Sequence, residues 1–243
     1  MQQQREQSEH LLLLDTGDAL IEQESSESPT MGEDVVAGMN LMAYDAMAIG
    51  PLELGLGAEA LRQRLDEAAF PMLSANVLWS DDRTTVGEPF TVLDVGFYRI
   101  GVIGLTRVIE NGGFADFVFL DPEDVLAELV PEVAEQVDTV VLLTNVPYRS
   151  AAELAEAVPG IDLVIAALPR QLPERAARTS GTGALVVTAE QALPLHSGRR
   201  VGNLAVAVQS DGTLDEEEWE SVALGPEIAD DLAMSNLLEK YAE

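Results

Sequence analysis

Cysteine is absent from this chain of 243 residues, which excludes disulfides and thiolate metal sites. Histidine is almost absent: His10 and His196 are the only two. Basic residues are scarce as well, 13 against 43 acids, with Lys240 the single lysine, and the formal net charge is −30. Binding a phosphate backbone needs a basic footprint that releases counterions, so no nucleic acid partner is expected. No apolar run reaches the ~18–20 residues that span a bilayer, so no membrane span is expected. The opening residues, Met1-Gln2-Gln3-Gln4-Arg5-Glu6-Gln7, carry no apolar signal core, which makes the chain as written cytoplasmic by default. What is present is ordinary for a globular protein: 47% apolar and 23% charged residues, enough for one large core or two small ones. The surplus of acid reads as a heavily solvated surface, of the kind a salt-adapted host favours.

Short apolar runs alternate with helical patterns along the chain. Strands are predicted at 11–14, 46–49, 72–76, 90–95, 98–105, 139–144, 163–167, 184–188 and 204–208. Gly96-Phe97 reads as a tight hairpin between two of them. Helices are predicted at 32–42, 58–69, 122–136, 151–158 and 228–241. The third opens Asp121-Pro122-Glu123-Asp124, a cap, a proline in the first turn and acids at the positive end of the dipole. Pro131 should kink or split it. Strands alternating with helices imply an α/β architecture. Residues 23–33 and 171–183 read as polar loops, and 211–227 as an acidic connector before a last amphipathic helix, so the expected division is 1–210 and 211–243.

Two stretches carry more. Residues 11–19 read Leu-Leu-Leu-Leu-Asp-Thr-Gly-Asp-Ala, and 39–57 read Met-Asn-Leu-Met-Ala-Tyr-Asp-Ala-Met-Ala-Ile-Gly-Pro-Leu-Glu-Leu-Gly-Leu-Gly. Further on come Phe70-Pro71-Met72-Leu73-Ser74-Ala75-Asn76, then Tyr98 to Thr106, Asp138 to Thr144, and Gly160 to Ile165. In this order the segments resemble the 5′-nucleotidase branch of the calcineurin-like metallophosphoesterases. The resemblance implies a four-layer α-β-β-α sandwich of two mixed sheets flanked by helices. It also implies an active site where strand ends meet loops. The resemblance implies that the family's first strand, with its Asp-x-His metal motif, would lie upstream of Met1, and that its nucleoside-gripping C-terminal domain is not expected within this chain.

In that family two adjacent divalent metals clamp the phosphate and generate a hydroxide, held by carboxylates, an Asn oxygen and imidazoles. The resemblance places the bridging carboxylate at Asp18. Its Gly-Asn-His-Glu motif reads Gly50-Pro51-Leu52-Glu53 here, so the metal-holding Asn is Pro51 and the phosphate-facing His is Leu52. A ligand His after the 139–144 strand is replaced by Asn145, and Gly-His-x-His by Ala167-Leu168-Pro169-Arg170. From the residues alone, Asp18 suits a cap on the loop after a strand, Asn145 a turn, and Pro51 a strand exit. Arg170 is either a solvated loop arginine or a guanidinium in the vacated metal site that neutralises Asp18. Tyr148 and Arg149 form a possible anion rim. Gly55-Leu56-Gly57 lacks the Lys-Ser/Thr of a phosphate loop, and no nucleophile elbow occurs. The expectation is a pseudo-phosphoesterase with no cofactor, acting by binding a protein partner. The alternative is a metal-dependent phosphoester hydrolase with two divalent metals.

Overall fold

Strands buried on both faces dominate the architecture, and their sequences are correspondingly apolar on both parities. The computed structural model describes residues 10–21, 30–109, 114–167, 177–188, 200–209, 212–226 and 228–241, with Arg5 and Ser8. Strands β1 (Leu14–Asp15), β2 (Ala46–Ala48) and β3 (Met72–Leu73) form a parallel sheet in that order. A six-stranded mixed sheet contains β5 (Phe90–Val95), β6 (Tyr98–Leu105), β8 (Thr139–Pro147), β9 (Leu163–Ala167), β10 (Ala177–Arg178) and β11 (Leu185–Thr188). Its order is β10-β11-β9-β8-β6-β5, with β6, β8, β9 and β11 parallel. Gly96 and Phe97 turn the β5–β6 hairpin, where Val95 faces Tyr98. Gly96 takes the positive φ of 63° that the tight turn requires. β4 (Val77–Trp79) pairs with β7 (Phe117–Phe119), and β12 (Arg200–Val208) with β13 (Leu214–Ala223), both antiparallel.

Three apolar clusters separate four layers. Helices α1 (Glu33–Met42) and α3 (Ala58–Glu67) bury Val36, Met39 and Leu61 against Met47, Ile49 and Met72 of the small sheet. The two sheets meet through Ala46, Ala48 and Leu73 on one side and Val102, Val141 and Leu143 on the other. Beyond the large sheet, α4 (Pro122–Ala134) and α5 (Tyr148–Ala157) cover Ile103, Leu105, Val140 and Leu142 with Leu126, Val130, Val133 and Ala151. Alternate residues of β8 thus serve different interfaces, as a two-residue period demands. The sheets approach closely: a Cβ at Gly104 would collide with Leu73. This is the sandwich of sheets flanked by helices that the resemblance implies.

Several elements differ from expectation. The 11–14 strand contributes only Leu14–Asp15, and the 72–76 run ends at Leu73 before a separate β4. A short helix, α2 (Pro51–Gly55), starts at Pro51, whose missing N–H is no loss in the first turn. Helix α4 runs through Pro131 unbroken, because Val130 and Val133 on either side are anchored in the core.

Residues 211–227 are not a connector, since β13 occupies Leu214–Ala223. Leu214 and Trp219 both pack on the inter-sheet cluster, although their odd separation would put them on opposite faces of a regular strand. An irregularity opposite Ala205/Val206 restores the phase. The last helix, α6 (Leu232–Glu239), is capped by Asp231. It leans on α1, with Met234 against Gly38 and the Tyr241 hydroxyl donating to Glu33 Oε1 at 3.2 Å. None of its residues is fully buried.

Candidate functional site

The carboxyl ends of β1, β2, β3, β6 and β8 converge on one edge of the sandwich, the place where open α/β sheets bind ligands. Asp18 stands there just after β1, half-buried, with a φ of 61°. Its Oδ1 accepts the backbone N–H of Leu52 at 2.8 Å. The turn has no spare room: a Cβ at Gly50 would collide with Asp18 Oδ1, and one at Gly17 would lie 2.9 Å from Gly50 N and 3.1 Å from Asn145 Nδ2.

Glu53 holds the turn. It is fully buried, and its Oε2 accepts N–H from Asp18 (2.8 Å) and Gly50 (2.7 Å), while Oε1 accepts those of Ala19 (2.8 Å) and Leu20 (2.9 Å). Four donors on one carboxylate stitch the loop after β1 to the start of α2. Burial nevertheless pushes the Glu53 carboxyl up to about 7, with the Asp18 charge adding to the rise and the N–H groups opposing it. Asp15 is pushed up to about 6 by burial, opposed by the Gly17 N–H at 2.8 Å and helped by the Asp18 charge. Asp18 itself is raised by burial, while the Leu52 N–H and the nearby Arg107 guanidinium pull it down.

A second network ties the remaining strand ends. Asn145 is buried inside β8, not in a turn. Its Nδ2 donates to Ile49 O at 2.9 Å and its Oδ1 accepts Arg107 N–H at 2.7 Å. Ile49 O also accepts from the Thr106 hydroxyl at 2.7 Å. Asn76 and Thr106 exchange a reciprocal pair of 2.8 Å hydrogen bonds, and Ser74 Oγ lies 2.7 Å from Thr106 Oγ1.

The predicted positions therefore separate. Asp18, Pro51, Leu52 and Asn145 do come together; Pro51 is buried at the first turn of α2 and Leu52 is half-buried beside it. Tyr148 is half-buried at the start of α5 and packs on the apolar core, with burial raising its phenol. Arg149 is exposed on the same helix and pairs with Glu153 at 3.7 Å, an i,i+4 surface contact. Leu168, Arg170 and His196 lie outside the described residues. Arg107, which the sequence reading did not single out, directly follows Thr106 at the end of β6; its position after a strand that leads to the cleft was the available signal.

A two-metal centre needs several oxygen and imidazole donors aimed at one point. Among the described residues no three Asp, Glu, His or Cys side chains form a group that could hold a metal ion. Pro51 and Leu52 offer no donor, Glu53 is consumed by four N–H groups, and Asn145 spends its oxygen on Arg107 N–H and its NH₂ on Ile49 O. The described donor set does not fit two metals.

No protein-family model matches the chain. Curated relatives do. The UshA protein of Yersinia enterocolitica is 32% identical over 143 residues, covering 56% of this chain and 26% of that protein. The human 5′-nucleotidase is 35% identical over 144 residues, covering 55% of this chain and 24% of that protein. The chain thus spans about a quarter of the length of these relatives. Among solved structures, a 5′-nucleotidase precursor from Thermus thermophilus superposes with a TM-score of 0.81 at 29% identity, over 96% of this chain and 49% of that one. The calcineurin-like phosphoesterase YfkN of Bacillus subtilis gives 0.72 at 19% identity, over 98% and 85%. The chain is a homologue of the 5′-nucleotidases and UshA proteins, built on the calcineurin-like phosphoesterase fold.

Proposed function

We propose that this 5′-nucleotidase-like metallophosphatase domain has lost its hydrolytic centre and acts by binding a protein partner. The observation that carries the reading is the occupation of the motif after β2. Where the resemblance puts a metal-holding amide and a phosphate-facing imidazole stand Pro51 and Leu52, while the preserved Glu53 serves only the loop's backbone. A lone Asp18 facing a phosphate with no cation between them repels it. Apolar groups left in solvent support a partner: Phe97 at the β5–β6 turn is fully exposed, and Leu232 of α6 is 80% exposed.

The competing reading is a metal-dependent phosphoester hydrolase of the 5′-nucleotidase kind, favoured by the identity to relatives such as the human 5′-nucleotidase. Metal analysis of the purified protein, with hydrolysis of a generic phosphoester in manganese, separates the two. The proposal expects substoichiometric metal and no turnover above the Asp18→Asn variant. Two bound metals per chain with turnover that Asp18→Asn abolishes would overturn it.

A further inference from the structure

The hairpin of β5 and β6 ends the six-stranded sheet, so one side of β5 has no neighbouring strand. Pro89 O accepts the Gly104 N–H at 3.2 Å, and in an antiparallel ladder such pairs alternate with pairs that exchange no hydrogen bonds. The register then makes Thr91–Val102, Leu93–Ile100 and Val95–Tyr98 the bonded pairs. Phe90, Val92 and Asp94 accordingly turn their N–H and C=O groups away from β6. Among the described residues no hydrogen bond reaches those groups. An edge of this kind is a template for another strand.

Other edges of the described fold are short or blunted in ways that discourage pairing. β1, β3 and β10 have two residues each, and β4 and β7 have three. The β12–β13 ribbon is interrupted at Ala205/Val206, and β13 exposes Asp215, Glu218 and Glu220. β5 runs through six residues in unbroken register, with Asp94 as its single charge and no proline or lysine. Its far end is held in place. A Cβ at Gly96 would lie 2.6 Å from His10 Cε1, and the Tyr98 hydroxyl donates to Val208 O at 3.2 Å. Phe97 on this held turn is nonetheless fully exposed, an aromatic anchor beside the open edge.

We propose that the open edge of β5 and the adjoining Phe97 are the docking site for an extended, basic segment of a partner protein, which adds to the sheet as a further strand. This rests on the partner-binding reading above and names where the segment lies and what chemistry it carries. Main-chain bonds to Phe90, Val92 and Asp94 supply affinity, and Phe97 anchors one end. Charge selects the occupant. The Asp94 side chain is 82% exposed and meets Arg99 across 3.7 Å, Glu88 is exposed just before the strand, and the chain carries −30 overall. A second copy would bring the same surplus of acid to the edge, whereas lysine or arginine on an incoming segment is attracted to it.

Selection from a displayed library of random peptides on the full chain tests it, with binding of a selected synthetic peptide read by fluorescence anisotropy at pH 7.5 in chelator. The selected peptides should alternate apolar with polar residues and carry lysine or arginine. Val92→Pro removes an outward N–H and leaves the bonds to β6 intact, the edge position at which a strand tolerates proline. It should weaken the synthetic peptide by about tenfold or more. Asp94→Pro makes the same change at the next outward position and replaces it if Val92→Pro loses its folded circular dichroism spectrum. Phe97→Ser should weaken the peptide about tenfold, and raising NaCl from 0.1 to 1 M should weaken it several-fold. Binding that survives both proline variants but is lost in Leu232→Ser would move the docking site to α6 and overturn the proposal. A library that yields no peptide, or peptides without basic residues, would overturn it too. Dimerisation of the wild type in analytical ultracentrifugation, abolished by Val92→Pro, would put a second copy on the edge and overturn the basic partner. Turnover in manganese with peptide binding intact would overturn the lost metal centre instead and leave the edge standing.

Discussion

Asp15 and Glu53 show how carboxylates in a tight turn are held by backbone donors. Four backbone donors depend on Glu53, a duty independent of any ligand. Among the described residues Asp15 has a single N–H partner, from Gly17, and it sits in the field of Asp18. Its folded-state proton affinity, raised to about 6 against an ordinary 3.8, carries a defined pH effect. Between those two values the unfolded chain has released the proton while the folded chain retains it. Stability therefore falls as pH rises through that window and is not regained above it. Asp15→Asn keeps the oxygen that accepts the Gly17 N–H and removes the charge. It should stabilise the protein by about 1–2 kcal/mol at pH 7.5, a value discounted for partial exposure, and flatten the decline between pH 4 and 6. Chemical denaturation at pH 4, 6 and 7.5 checks this, and a variant less stable than wild type at pH 7.5 would refute it. The positions of Asp18, Pro51 and Leu52 were legible from motif order alone. The burial of Asn145 inside β8 was not, because its bonds to Ile49 and to the Arg107 N–H depend on which strand ends meet, and that is a property of the sandwich.

The elements that sequence reading located best are those of the large sheet. The 90–95, 98–105 and 163–167 runs match β5, β6 and β9 residue for residue, since short runs rich in β-branched and aromatic residues and bounded by turn residues favour strands. Short strands escaped: β4 and β7 have three residues each, which leaves no room for a period. β13 escaped for a different reason. Its acids suggest a solvated tether, and its irregularity breaks the alternation that would have exposed a buried face. Yet Leu214 is 5% exposed and packs with Leu204 and Val206 between the sheets. Leu214→Ala should therefore cost about 2–4 kcal/mol in denaturant unfolding. Glu218→Ala, on an exposed position of the same strand, should change stability by no more than about 0.5 kcal/mol. Equal, negligible effects from the two would return the segment to the status of a tether.

Across the whole molecule, charge is the dominant unresolved force. A net charge of −30 is borne by a surface of 13621 Å², and self-repulsion on that surface favours expansion. Opposing it are five ion pairs among the described residues, four of them with partners substantially in solvent. Exposed pairs contribute roughly 0–1 kcal/mol each. Salt weakens both terms, but unequally. Repulsion sums over many carboxylates separated by about ten ångströms, the range that screening removes when the Debye length falls from about 10 Å at 0.1 M to about 3 Å at 1 M. Contact pairs at about 4 Å or less lose less. Net screening should therefore stabilise the fold, raising the melting temperature by about 5–10 °C between 0.1 and 2 M NaCl if a few kcal/mol of repulsion is relieved. Sodium chloride is the informative salt, because sulfate also strengthens apolar burial and would raise the melting temperature of a neutral protein too. A melting temperature that stays flat or falls in sodium chloride, while rising in sulfate, would mean that ion pairing offsets the repulsion and that the acid surplus serves solubility alone.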